Sequence, residues 1–288
     1  EVREPGDGMS PPPFDGTSAP LDGTSAPSGA GAGERQVSPG ESALSGPDFG
    51  VSDARTTSVE VVCAAQSAAS ELRHVSMSFL FDVSASMGGN NANRFNTKWL
   101  PVVAATESFF TEPDAAALSA SLTFFPREGG ASCTPDAYLQ PDVAETPLPS
   151  PLFGSAISGL GYALGSNNWR FSTPTLAAYS GVVAALASAP DDTLRAIVMV
   201  TDGVPLGCNN GANDIQRVAD AVRASGITTF VIGVANPPGD NAGDNLQNLD
   251  VVAEAGGTER AFIIATGDPA QTEADFKAVI DGIRGVTL

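Results

Sequence analysis

The chain has 288 residues, which allows one large domain plus a tail or two small domains, and 42% of them are hydrophobic, enough for a sizeable core. Its 33 acidic and 14 basic residues leave a net charge of −19, and such a surface repels nucleic acid and anionic lipid. No apolar run reaches the roughly 18 residues of a membrane span, and a single histidine, His74, excludes multi-histidine zinc chemistry.

Residues 1–55 read as a disordered tail rich in Gly, Pro, Ser and Ala, followed by a lead-in over 56–71. Within the tail, Asp15-Gly-Thr-Ser-Ala-Pro20 returns as Asp22-Gly-Thr-Ser-Ala-Pro27, a repeat too short and polar for a solenoid. The tail is either a flexible spacer, of the kind that holds a domain away from a membrane anchor upstream of residue 1, or a linker with no role of its own. The chain opens at Glu1 without an initiator Met or signal peptide, so we expect a mature form or a recombinant piece.

From residue 72 the pattern alternates strands and helices. Val75 to Phe81 has strand length, with Val75, Met77, Phe79 and Phe81 at one parity. It runs into Asp82, Ser84 and Ser86, spelling D-x-S-x-S. A helix over 97–111 follows, with Trp99, Val102, Val103, Thr106 and Phe110 on one face. Ser119 to Phe125 is the next strand, ended by Pro126. The Pro-rich stretch 126–151 leaves room for a short edge strand near Tyr138 to Val143. Helices are expected around 151–164 and from Leu176 to Ala187, the second opened by Ser172-Thr173-Pro174-Thr175. Strand 195–201 leads to Thr201-Asp202-Gly203. A helix near 214–225, strand Ile227 to Val234, a helix near 244–255, strand Ala261 to Ala265 and a helix over 271–284 complete the chain. This alternation predicts an α/β fold with a parallel, doubly wound sheet. Such sheets bind ligands at the C-terminal ends of strands, where Asp82 and Asp202 both lie.

A carboxylate and two hydroxyls just past a buried strand make an all-oxygen cluster suited to a hard divalent cation, although Asp and Ser also serve as ordinary turns and caps. With Thr173 and Asp202 following in order, the set resembles the metal-ion-dependent adhesion site of the von Willebrand factor type A (VWA) family, over about residues 72–288. The chain resembles exported bacterial members of that family. The resemblance implies a Rossmann-like, mostly parallel sheet with one antiparallel edge strand and helices on both faces. It maps the metal ligands onto Asp82, Ser84, Ser86, Thr173 and Asp202. Mg²⁺ is the expected ion, with Mn²⁺ or Ca²⁺ as alternatives. A cation held mostly by neutral hydroxyls keeps much of its charge and attracts a carboxylate from a protein or glycan partner. The implied function is adhesion or protein binding outside the cell, at its surface or in the periplasm, with no enzymatic activity.

Many VWA domains place two glycines before the site threonine, where this chain has Phe171-Ser172. Trp169 and Phe171 therefore lie close to the metal in sequence, either as an apolar rim that selects partners or packed on the adjacent helix. Gly88 and Gly89 let the motif loop turn tightly.

In the implied fold, Cys133 and Cys208 each follow a strand whose C-terminal end points at the metal face, and exported bacterial VWA proteins resemble this chain in both placements. A Cys133–Cys208 disulfide is therefore expected, with two buried free thiols as the alternative. Cys63 would pair with a cysteine beyond Leu288. A disulfide implies an oxidising compartment.

Rival chemistries fit poorly. Haloacid-dehalogenase phosphatases require D-x-D, and position 84 is Ser. No G-x-S-x-G elbow, Ser-His-Asp triad or G-x-G-x-x-G after the first strand occurs. Two non-enzymatic alternatives stay open: a VWA subunit of an intracellular chelatase-type assembly, and a VWA scaffold or structural subunit whose metal site is idle.

Overall fold

The computed structural model describes residues 74–129, 132–187, 193–208, 214–240 and 246–287. The tail over 1–55, the lead-in over 56–71 and Cys63 lie outside the described residues. Six strands form one sheet: β1 (Val75–Asp82), β2 (Leu118–Phe125), β3 (Val143–Pro147), β4 (Leu194–Thr201), β5 (Thr228–Val234) and β6 (Phe262–Ile264). Their spatial order is β3-β2-β1-β4-β5-β6, and every pairing is parallel except that of β3 with β2. This is the doubly wound sheet with one antiparallel edge.

Helices cover both faces: α1 (Leu100–Thr111), α2 (Leu152–Gly159) and α6 (Pro269–Thr287) on one, α3 (Thr175–Leu186), α4 (Ile215–Ser225) and α5 (Leu249–Ala255) on the other. The period-two alternation of β1 decides which residues go where. Val75, Met77, Phe79 and Phe81 enter the core beneath α1, α2 and α6, while Leu80 enters the core beneath α3, α4 and α5. Phe79 packs edge-on against Phe110, whose ring stacks on Phe153 at 4.0 Å between centroids. Each fully buried Phe contributes on the order of 1.5–3 kcal/mol of transfer free energy.

Three sequence expectations need correction. The edge strand is not at 138–143 but at Val143–Pro147. Pro135 instead starts a 3₁₀ turn, Pro135–Tyr138, that buries the Tyr138 ring against α3 rather than through strand pairing. Gly181 of α3 makes this approach possible, because a Cβ there would lie 2.4 Å from the Pro135 carbonyl oxygen. The helix expected to 164 ends at Gly159, and Gly161 and Gly165, both with positive φ, turn the chain back toward the sheet. The first helix begins earlier than 97: Asn91 caps a single turn, Ala92–Arg94, and a π-helical turn, Phe95–Trp99, leads into α1.

The sheet's switch point falls between β1 and β4, since the chain steps from β1 to β2 on one side and returns to β4 on the other. Asp82 ends β1 and Asp202 directly follows β4.

Candidate metal centre

The Asp82 carboxylate is completely buried. Its Oδ1 accepts from the Ser84 amide at 2.8 Å, and its Oδ2 accepts from the Thr201 hydroxyl at 2.7 Å. The Ser84 and Ser86 hydroxyls lie 2.8 Å apart, and Ser86 Oγ donates to Asp202 Oδ1 at 2.9 Å. Four of the five expected ligands thus form one continuous polar array at the switch point. Burial pushes the Asp82 carboxyl up to about 7, helped by the nearby Asp202 charge and opposed by the Ser84 and Thr201 hydrogen bonds.

Thr173 is placed differently. Its amide donates to Leu206 O at 2.9 Å, and the Leu206 amide donates back to Thr173 O at 3.0 Å. This two-way bridge pins Thr173 to the loop that begins at Asp202. None of the described hydrogen bonds joins the Thr173 hydroxyl to the other four side chains. The motif loop is tied to the same segment by the Ala85 amide, which donates to Arg170 O at 2.7 Å.

One participant was not foreseen. Lys98, in the π-helical turn, is fully buried and directs Nζ to Asp202 Oδ2 at 2.7 Å and Asn236 Oδ1 at 2.8 Å. The sequence signal was present but quiet: the chain has only two lysines, Lys98 and Lys277, and one of them adjoins Trp99 on the face expected to be buried.

The structure separates the two aromatics considered for a rim. Trp169 is only 4% exposed, packed against Phe95, Trp99 and Tyr162, with its indole N–H donating to Ala163 O at 3.0 Å. It belongs to the floor beneath the motif loop and not to an exposed rim. Gly88 is required there by space, since a Cβ would lie 2.5 Å from the Trp169 ring. Phe171, by contrast, is 72% exposed and stands beside a cavity of about 610 Å³ that Ala85, Gly88, Gly89 and Asn91 also line. Leu206 is exposed on the loop bridged to Thr173. Cys133 and Cys208 form a disulfide with Cα atoms 5.7 Å apart, which ties the segment after β2 to the loop after β4.

Among the described residues, no three His, Cys, Asp or Glu side chains gather into a metal-holding group. Fit to a cation therefore depends on the hydroxyls. Two carboxylates with Ser84 and Ser86 between them are hard oxygen donors, which suits Mg²⁺, Mn²⁺ or Ca²⁺ and disfavours soft-ligand metals. Ser86 Oγ is already within hydrogen-bond distance of both Ser84 Oγ and Asp202 Oδ1, so the donor set fits the group that the motif implies.

The von Willebrand factor type A domain model matches residues 153–275. Over that span, and in its six-stranded sheet with a single antiparallel edge, the chain is similar to VWA domains. The matched span contains Thr173 and Asp202 but not Asp82, Ser84 or Ser86, whose association with Asp202 rests on geometry.

Among solved structures, the pilus adhesin SpaC from Lactobacillus rhamnosus GG is similar, with a TM-score of 0.52 and 15% identity over 74% of this chain and 31% of that one. The PilB minor pilin from Streptococcus sanguinis is similar at a TM-score of 0.50 and 17% identity, over 75% of this chain and 62% of that one. At these identities the likeness is one of fold. The chain spans about a third of the adhesin's length and less than two thirds of the pilin's. No curated protein matches the sequence.

Proposed function

We propose that residues 72–288 form a metal-dependent binding or adhesion module of an exported or cell-surface protein, with residues 1–55 as its spacer. The observation that carries this reading is the hydrogen-bonded array of Asp82, Ser84, Ser86 and Asp202 at the switch point of the sheet. Ser84, Ser86 and Thr173 would offer hydroxyl oxygens to a divalent cation, and Asp82 and Asp202 carboxylate oxygens. When bound, the ion supplies a positive charge that draws in a carboxylate from a protein or glycan partner. Exposed Phe171 and Leu206 on the adjoining loops give that partner an apolar contact beside the charge. The adhesin and pilin neighbours agree with a place outside the cell, as does the disulfide. No helix among the described residues is long and apolar enough to cross a membrane. A binding role is favoured over an enzymatic one because His74, the only histidine, precedes β1 and hydrogen-bonds Ser119 at the opposite end of the sheet.

Calorimetric titration of Mg²⁺ and Mn²⁺ into chelator-treated protein tests the reading. Saturable binding is expected, and Asp82→Ala should abolish it. A second reading, a scaffold that does not use metal, draws support from Lys98, which already supplies a cation to Asp202. Absence of heat at millimolar metal would favour that scaffold.

A further inference from the structure

Lys98 has no part in the adhesion-site motif, yet it is fully buried and all three N–H groups of its ammonium face acceptors. These are Asp202 Oδ2 at 2.7 Å, Asn236 Oδ1 at 2.8 Å and the Ser86 carbonyl at 3.4 Å. A buried ammonium is costly unless paired and hydrogen-bonded, and this one is both. Its position is set by the π-helical turn Phe95–Trp99, in which the Leu100 amide reaches back to Phe95 O. Asp202 is held at both ends, by Lys98 on Oδ2 and by the Ser86 hydroxyl on Oδ1. We propose that Lys98 is a positioning residue of the metal centre: a resident counter-ion that holds Asp202 in place without metal and weakens the site's grip on a divalent cation.

The charge count gives the direction. With both carboxyls ionised, Asp82 and Asp202 carry two formal negative charges, and Lys98 leaves the site with one. The carboxylate pair is therefore neutralised in part before any ion arrives, so the metal-free fold persists. An incoming cation meets a like charge bonded to one of its ligands, which lowers affinity. The same like charge leaves the loaded site more positive toward an acidic partner. Removing the ammonium spares the Ser86 bond to Asp202, so positioning is lost only in part while the repulsion is lost whole.

Lys98→Met, Asp202→Asn and the double variant, made in the full chain, test this in two arms. Thermal denaturation in chelator is the first. Lys98→Met should melt below wild type, and adding Asp202→Asn should recover part of that loss, because the stranded carboxylate is gone. Losses that simply add would overturn the coupling and reduce Lys98 to packing. If Lys98→Met does not fold in chelator, folding of the double variant supports the proposal and its failure overturns it. Mg²⁺ titration is the second arm. Lys98→Met should bind on the order of tenfold tighter than wild type, with a larger Mg²⁺-induced rise in Tm. Equal or weaker binding would overturn the counter-ion role. This second arm rests on the metal-centre reading. If wild type and Lys98→Met both bind no Mg²⁺, that reading fails with its affinity claim, and the first arm alone still decides whether Lys98 acts through Asp202.

Discussion

Ser172 occupies the place where many VWA domains carry the second of two glycines, and its φ of 93° is in the left-handed region. A side chain there costs on the order of 1–3 kcal/mol, and the bond from Ser172 Oγ to Leu206 O at 3.0 Å offsets part of this. The neighbouring glycine is fixed by the same contact, since a Cβ on Gly207 would fall 1.8 Å from Ser172 Oγ. Ser172→Gly should therefore change stability by less than about 1 kcal/mol, whereas Ser172→Val should lose about 2 kcal/mol, because a β-branched residue is least tolerant of positive φ. Denaturant unfolding of the two variants measures the contrast, and equal values would mean that the backbone there is relaxed. The departure from the family's glycines was visible in the sequence, but the conformation it forces was not.

At the scale of elements, the link between α1 and α6 is partly ionic. Lys277 Nζ on α6 donates to both Glu112 oxygens, at 2.6 and 2.7 Å, just past the end of α1, and to Asp281 at 3.1 Å. The Lys277 hydrogen bonds hold the Glu112 carboxyl below its ordinary value of 4.5. A carboxyl with a depressed folded value adds stability that is present above the ordinary value and is lost as pH falls through the folded one. Lys277→Met should thus lower stability at neutral pH and flatten the decline below about pH 4.5. Both side chains are partly exposed, so solvent screening holds the effect under about 1 kcal/mol. Chemical denaturation at neutral and acid pH reads it, and parallel pH profiles for variant and wild type would sink it.

For the molecule as a whole, what was readable depended on how local its cause was. The strand pattern of β1 and the D-x-S-x-S spacing are local, and with the family resemblance they led to the sheet and to four side chains that the structure brings together. The position of β3 was misread because Tyr138 is buried by a 3₁₀ turn against α3, a contact between segments far apart in sequence. Lys98 escaped for the same reason. Its partners Asp202 and Asn236 lie 104 and 138 residues away, and only the π-helical turn aims it at them. Trp169 and Phe171 are two residues apart and looked equivalent, yet one is floor and the other surface.

The disulfide joins residues 75 apart, so α2, α3, β4, Thr173 and Asp202 lie inside one closed covalent loop, while β1 and α6 lie outside it. Closing such a loop contributes about 4 kcal/mol in the chain-entropy model. It also determines how the chain carries load. Tension applied between the N-terminal side of β1 and the end of α6 passes through the sulfur bridge and bypasses the loop. At roughly 3.4 Å per extended residue, about 250 Å of contour stays locked away until the bond is reduced. Single-molecule stretching should show that increment appear with reductant, and identical extension with and without reductant would contradict it. Under load, Thr173 and Asp202, two of the five proposed cation ligands, stay on a segment that cannot be drawn out.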